Sequence, residues 1–227
     1  MSAISVLSDA VETTRVGEPR PFPDFSLRPT PLWKRAIDVL GGGCLLILAL
    51  PLLVVLGVYV KLVSPGPVLF VQERIGAGTQ RFKMYKLRTM HVASEPDSHR
   101  DYVAGLVGTD RPAVKPAYHS RLICGGRLLR SLSLDELPQL FNVLLGNMSL
   151  IGPRPEVLQL QDYEPWQLRR FEVLPGISGL WQVSGKNRLT FKQMIKLDIE
   201  YVDRLSFQLD MWILRKTFWV IVLRRNH

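Results

Sequence analysis

The residues of this chain best suited to chemistry lie in Arg130-Ser-Leu-Ser-Leu-Asp-Glu-Leu-Pro138, where two carboxylates stand side by side downstream of an arginine. One reading is purely structural. Ser133 followed three residues later by Glu136 forms a capping box, and Asp135 in the first turn complements the helix dipole. The other reading puts the same geometry to catalytic use. Adjacent residues on a helix point about 100° apart, so Asp135 and Glu136 address different partners at one helix mouth. That mouth attracts phosphate through its free N–H groups, and Arg130 upstream would help hold a diphosphate and keep a carboxylate ionised. A carboxylate plus substrate phosphates is also the usual way Mg2+ is bound.

Two further segments carry groups for anions. In Gly152-Pro-Arg-Pro155 two prolines stiffen the backbone around Arg154, which lowers the entropy lost when the guanidinium grips a phosphate. Pro175-Gly-Ile-Ser-Gly-Leu-Trp-Gln-Val-Ser-Gly-Lys-Asn-Arg188 is glycine-rich and ends in amide and basic side chains, either a ligand loop or only a turn. Gln182, Lys186 and Arg188 are its candidate substrate contacts. Other chemistries lack their motifs. There is no GxGxxG after a strand, no GxxxxGK[ST] and no HExxH. His91, His99, His119 and His227 have no metal-ligand spacing, and Cys44 and Cys124 belong to no CxxC pair or Cys/His cluster.

The element that must position these groups is apolar. Val39 to Val60 is a run of 22 residues without a charge, flanked by Lys34, Arg35 and Asp38 before it and Lys61 after. As a helix it is roughly 33 Å long, enough to cross a bilayer core. Fourteen of its residues are Leu, Ile or Val, supplying roughly −4 to −8 kcal/mol of insertion free energy. Pro51 near its middle removes a backbone hydrogen bond and bends the helix. From the residues alone a kinked spanning helix is the simpler reading. A re-entrant hairpin with both basic flanks in the cytoplasm is the alternative. Gly41, Gly42 and Gly43 permit close packing of another element.

Beyond the turn cluster Ser64-Pro-Gly-Pro67, alternation predicts a hairpin of strands 68–74 and 81–88 joined by residues 75–80. Its second arm interleaves Arg81, Lys83, Lys86 and Arg88 with apolar residues. These cations form a solvated face, attract acidic headgroups, or, for Lys83, Lys86 and Arg88, contact an anionic substrate. Residues 91–118 read as a long polar loop and 120–145 as helical with a break near 131–133. Residues 156–174 and 190–205 read as amphipathic helices. Met211 to Arg225 reads as a terminal helix that either lies in a membrane interface or packs on the core. Residues 1–31, with several prolines, read as a disordered tail and not a signal peptide.

Lys and Arg outnumber Asp and Glu 29 to 20, a net charge of +9 that suits anionic partners in general. A nucleic-acid binder is disfavoured, because no recognition motif is present and the charge-free segment is out of place in a soluble binder. The cysteines suggest neither a disulfide framework nor zinc, and fit a reducing compartment.

An ordered set of motifs then identifies a likeness. Leu50-Pro51 within the apolar segment is followed by Gly66-Pro-Val-Leu-Phe70, Gln72-Glu-Arg-Ile-Gly76 and Phe82-Lys-Met-Tyr-Lys-Leu-Arg-Thr-Met90. Arg130 to Leu145, Met148-Ser-Leu-Ile-Gly-Pro-Arg-Pro155 and Pro175 to Val183 continue the series. Over residues 32–227 the chain resembles the bacterial sugar transferases, monotopic phosphoglycosyl transferases that start surface-glycan assembly.

The resemblance implies an α+β fold, mainly helical with a small β-hairpin, one proline-broken re-entrant membrane helix and interfacial amphipathic helices. It divides the chain into a tail (1–31), a re-entrant helix broken at Pro51 (32–63) and a membrane-interfacial catalytic part (64–227) on the cytoplasmic face of the bacterial inner membrane. Asp135 is implied as nucleophile and Mg2+ ligand, with Glu136 as the neighbouring catalytic carboxylate. The partners implied are a UDP-sugar donor, a polyprenyl (undecaprenyl) phosphate acceptor and membrane lipids, with no nucleic acid and a homo-oligomer left open. Asp135 would attack the sugar-proximal phosphorus, release UMP and form a phosphosugar-aspartyl intermediate that the lipid phosphate resolves. The product would begin an exopolysaccharide, capsule or O-antigen. Arg154 matches the arginine of the family's Pro-Arg-Pro loop. Lys186 stands where many members carry arginine, which keeps the charge but loses the bidentate fork, and Arg188 is its candidate substitute. Gly-Leu-Trp-Gln-Val-Ser-Gly is closer to members acting on hexose phosphates such as glucose or galactose. A non-catalytic membrane scaffold of a glycan assembly complex is the alternative, against which the intact Asp135-Glu136 pair and Pro-Arg-Pro loop argue.

Overall fold

The computed structural model describes residues 26–91, 103, 105–106, 121–185 and 188–222. Residues 1–25 of the tail expected over 1–31, nearly all of the expected loop at 91–118, and Lys186 lie outside them; the described end of that tail is docked, not disordered, with Arg28 donating to Glu172 at 2.9 Å and to the Val202 carbonyl at 2.7 Å.

The apolar run builds a single helix, α1, Leu32–Val63, 32 residues long with Pro51 inside it. At 1.5 Å per residue it measures about 48 Å. It is the one helix among the described residues long and apolar enough to cross a membrane, with a mean hydropathy of 2.7 over its most apolar stretch. It ends where Pro65 forces the preceding Ser64 out of the helical region, to φ −154° and ψ 126°. Its middle faces outward: Ile47 and Leu48 are more than 70% exposed and Val55 is 64% exposed. Both its ends are docked. Ile37 and Leu46 pack on one core cluster, and Leu56, Val60 and Val63 on another. Gly42 lets the helix approach closely, since a Cβ there would meet Val143 at 3.3 Å.

Charged residues anchor the two ends. Buried Lys34 donates to the Asp210 carboxylate at 2.6 Å, the Ile151 carbonyl at 2.8 Å and the Tyr201 hydroxyl at 3.0 Å. Arg35 donates to the carbonyls of Val143 and Leu144, the end of a neighbouring helix whose dipole favours a cation. At the far end Tyr59 donates to the Cys124 carbonyl at 2.9 Å. Arg88 donates to the Pro65 and Ser64 carbonyls at 2.6 and 2.7 Å.

The hairpin forms as expected, within one residue. Strands β1 (Leu69–Ile75) and β2 (Arg81–Leu87) pair antiparallel, with Glu73 opposite Lys83. Beyond it come α2 (Gly126–Ser131), a 3-10 turn over Leu134–Glu136 and α3 (Gln139–Leu144). Asn142 of α3 behaves as a substitute strand partner for β2. Its Nδ2 donates to the Lys83 carbonyl at 2.7 Å, and its Oδ1 accepts the Tyr85 N–H at 3.1 Å.

A second, parallel pair, β3 (Ser149–Ile151) and β4 (Gly176–Ser178), was not expected from the sequence. At three residues each, the strands are too short for period-2 alternation to register. The amphipathic helix expected over 156–174 is corrected to 3-10 segments at Leu160–Asp162 and Pro165–Glu172. Helix α4 (Leu180–Ser184) precedes α5 (Phe191–Arg204), which Thr190 and Gln193 open with a capping box. Helix α6, Phe207–Val222, starts four residues before the expected Met211.

Candidate active site

The two carboxylates sit on a kinked helix start. Ser133 adopts a left-handed conformation at φ 56°, uncommon for a residue with a Cβ. The chain then makes its 3-10 turn, and Pro138, with φ −62° already helical, leads into α3. Leu134 packs toward Leu56 and Val60 of α1, while Leu137 joins the core under α3. These two side chains pin the turn from opposite sides and hold Asp135 and Glu136 half-buried beside the second half of α1. The capping box expected here does not form, since Ser133 makes no side-chain cap bond and the Glu136 carboxylate is engaged elsewhere. Two cations outcompete a serine backbone N–H for it.

Those cations come from the hairpin and the Pro-Arg-Pro loop. Arg154 faces Glu136 as a fork, Nη2 to Oε1 at 2.6 Å and Nη1 to Oε2 at 3.4 Å, and Lys86 Nζ reaches Oε1 at 3.4 Å. Asp135, by contrast, accepts no hydrogen bond among the described residues, although Lys86, Arg130 and Arg154 all act on it. Burial first, then the Glu136 charge, push the Asp135 carboxyl above the ordinary carboxylate range, and the three cations only partly offset this. Burial holds Lys86 below a normal lysine, whereas the Glu136 charge raises Arg154. One carboxylate is therefore locked and the other left free at an electropositive spot.

The arginine loop is placed by close backbone contact. A Cβ on Gly152 would sit 2.4 Å from the Leu174 carbonyl and 2.9 Å from the Gly176 nitrogen, so only glycine lets β3 and the loop meet β4. Behind the loop, Arg170 Nη2 donates to the Arg154 carbonyl at 2.6 Å and to Asp198 at 2.7 Å. Arg170 also donates to the Tyr163 hydroxyl at 3.0 Å. Burial pushes the Asp198 carboxyl up to about 7 and the buried Arg74 guanidinium down to about 10.

Among the residues expected to contact substrate, Lys86, Arg130 and Arg154 gather at Asp135. Lys83 does not join them: side chains alternate across a strand, so it lies on the opposite face of β2 from Lys86, and it is exposed. Arg88 shares the Lys86 face but is buried on the carbonyls that close α1. Gln182 is half-buried, with Nε2 3.5 Å from the Ile177 carbonyl and Oε1 buried without a partner. Arg188 is exposed. Sequence reasoning missed Arg74, Arg170, Asp198 and the Lys34-Asp210 pair. A signal for Asp198 existed, because it occupies the apolar stripe of α5 with Phe191, Met194, Ile195, Tyr201 and Val202.

A family model described as bacterial sugar transferase matches residues 30–224. The chain is 39% identical over 214 residues to a UDP-glucose:undecaprenyl-phosphate glucose-1-phosphate transferase of Caulobacter vibrioides, covering 90% of this chain and 73% of that protein. It is 36% identical over 204 residues to the exopolysaccharide production protein ExoY of Rhizobium meliloti, covering 85% and 87%. With a UDP-N-acetylgalactosamine-undecaprenyl-phosphate N-acetylgalactosaminephosphotransferase of Aeromonas hydrophila it shares 38% over 207 residues, covering 87% of this chain and 46% of the other.

Proposed function

This chain belongs to the bacterial sugar transferase family, and from that premise we propose that it moves a sugar-1-phosphate from a UDP-sugar to polyprenyl phosphate through an Asp135-bound intermediate. The observation that carries the reading is the division of labour between the adjacent carboxylates. Glu136 is held by Arg154 and Lys86, while Asp135 keeps both oxygens free beside three cations. In the first half-reaction an Asp135 oxygen attacks the sugar-proximal phosphorus. The bond from that phosphorus to the bridging oxygen breaks, and UMP leaves with the electron pair. In the second half a phosphate oxygen of the lipid acceptor attacks the same phosphorus, and Asp135 returns as a carboxylate. Splitting one displacement into two lowers each barrier. The raised proton affinity of Asp135 makes it a better nucleophile once ionised. Arg154, Lys86 and Arg130 stabilise phosphate charge as it develops.

Mg2+ fits this site in one mode. No cluster of three or more His, Cys, Asp or Glu side chains that could hold a metal occurs among the described residues, so Asp135 and the substrate phosphates would be the ligands. The ion would supply further neutralisation of phosphate charge.

The docking of α1 supports a path that enters and leaves the membrane on one face. Lys34 at one end and Ser64 at the other bond to residues of the same globular part. A polar body cannot lie on both faces of a bilayer, so both ends enter from one side, and the exposed middle with Pro51 dips into lipid.

UMP release from UDP-glucose, UDP-galactose and UDP-N-acetylgalactosamine, by purified chain with undecaprenyl phosphate and Mg2+, tests the proposal. Lipid-dependent release identifies the donor. Folded, membrane-inserted protein that turns over no donor in a broad panel would favour the scaffold reading instead.

A further inference from the structure

The hairpin face that carries Lys86 also carries two polar residues with no part in the transfer steps. In the antiparallel register Gln72 stands opposite Met84 and Arg74 opposite Phe82. Opposed residues share a face, and so does every second residue along a strand, so Gln72 and Arg74 lie on the Lys86 side. Glu73 and Lys83, opposed on the other side, are exposed. Arg74 is buried, and its Nη2 donates to Gln72 Oε1 at 2.6 Å. A guanidinium has donors only, so it fixes which way round the Gln72 carboxamide stands. The Gln72 NH2 group is left as a donor on a half-buried residue, with no hydrogen-bond partner among the described residues.

The Pro-Arg-Pro loop supplies the matching acceptor. Burial lowers Arg74 most, and of the charges acting on it Glu156 is the strongest, ahead of Arg154 and Glu136. Glu156, two residues beyond Arg154, also acts on Arg154, after Glu136. Half-buried Glu156 accepts no hydrogen bond on its carboxylate among the described residues. Arg74 therefore stands between an amide that can only donate and a carboxylate that can only accept. The Arg154–Glu136 fork, whose charges reach Arg74, ties both of them to the Asp135 site.

We propose that Gln72 and Glu156 together read a hydroxyl of the transferred sugar and so set which donor the protein accepts. The inference rests on the transferase reading and deepens it by naming its sugar subsite. A hydroxyl both donates and accepts, so one carboxylate and one amide N–H satisfy it together. The oxygens of a diphosphate ester only accept and are repelled by Glu156, so the phosphates stay with Lys86, Arg130 and Arg154. A uracil ring also offers a donor and acceptors. It is separated from the attacked phosphorus by a ribose and a second phosphate, whereas the sugar is joined to that phosphorus through one oxygen. A site built to hydrogen-bond a hydroxyl rejects a donor that lacks it or presents it in the other configuration, because its polar groups are then left unpaired.

The test uses the full chain in nanodiscs with undecaprenyl phosphate and Mg2+. It compares kcat/KM for UDP-glucose and UDP-galactose, which differ in the configuration of one hydroxyl, and for UDP-N-acetylgalactosamine. Glu156→Gln and Gln72→Glu are the variants. Gln72→Glu replaces the donor with an acceptor yet keeps a partner for Arg74. Glu156→Asp, which retains the charge felt by Arg74 and Arg154, serves where Glu156→Gln fails to fold. Expected is a loss of about 10–100-fold for the donor that wild type prefers and of less than about threefold for the others, so that the preference collapses. Inhibition by UMP, which lacks the transferred sugar, should stay within about twofold of wild type. A deoxy analogue of the preferred donor lacking the hydroxyl in question should lose as much on wild type and little more on the variants. Equal losses for all donors, weakened UMP inhibition, a wild type without preference, or unaltered kinetics in the variants would each overturn the subsite and leave the transferase standing. Wild-type protein that turns over no donor sinks the transferase reading and the subsite with it.

Discussion

Replacing Lys34 by methionine tests how α1 is tied to the rest of the protein. Lys34 and Asp210 are 2.6 Å apart with side chains 3% and 4% exposed, so water screens neither. The same ammonium also serves the Ile151 carbonyl and the Tyr201 hydroxyl, the latter also donating to Asp210 at 2.8 Å. Lys34→Met leaves the Asp210 carboxylate buried with a single hydroxyl partner, and breaking such a pair costs about 3–5 kcal/mol. For a chain of this size 1 kcal/mol corresponds to about 2–4 °C, so the melting temperature should fall by about 10 °C. Lys34→Met combined with Asp210→Leu removes both charges and should recover much of the loss, because well-packed apolar replacements of a buried pair are often neutral. The assay is thermal unfolding of wild type, both single variants and the double variant at one protein concentration in one detergent. The expected coupling between the sites is about 2 kcal/mol or more. A Lys34→Met protein melting within about 1 °C of wild type, or a double variant that loses the sum of the single losses, refutes the reasoning.

Three other outcomes follow from the site. The Glu136 charge raises the Asp135 carboxyl, and the nucleophile is the ionised form. Glu136→Gln should therefore move the acid limb of kcat/KM to lower pH even as turnover drops; a limb that stays put or moves up contradicts the assigned coupling. Lys86→Ala should cut turnover by about tenfold or more while Lys83→Ala, on the opposite strand face, stays near wild type, and equal effects in steady-state kinetics would overturn the face assignment. Arg88→Met removes two charge-assisted bonds to the carbonyls that close α1, with an expected stability loss of about 3 kcal/mol and an unchanged KM for the UDP-sugar. A raised KM at unchanged stability would return Arg88 to the substrate.

Much of this was legible in the sequence where local rules decide. The charge-free run wrote α1, alternation wrote the hairpin to within a residue, and the amphipathic pattern over 190–205 wrote α5. What was not legible depends on partners distant in the chain. Ser133 and Glu136 carry the local signature of a capping box, but Arg154 and Lys86, from other elements, take the carboxylate. Lys83, Lys86 and Arg88 look alike as a basic run. Strand alternation separates the first from the second, and only the fold ties the third to Ser64 and Pro65. The short parallel strands exist because Gly152 and Gly176 let two backbones meet, and three-residue strands leave no periodicity to read. Asp198 stands in the apolar stripe of α5, which is a readable signal, but its partner Arg170 is not readable from that pattern, and Asp210 falls before the expected start of the terminal helix, far in sequence from Lys34.

The central claim is that Asp135 carries the phosphosugar between two half-reactions. Its most direct test is exchange of labelled UMP into UDP-sugar by purified chain with Mg2+ and no lipid acceptor, beside Asp135→Asn. The account predicts exchange in wild type and none in the variant. Exchange that persists in Asp135→Asn, or that appears only once polyprenyl phosphate is added, would contradict it, the first by removing the nucleophile and the second by favouring direct transfer between the two substrates.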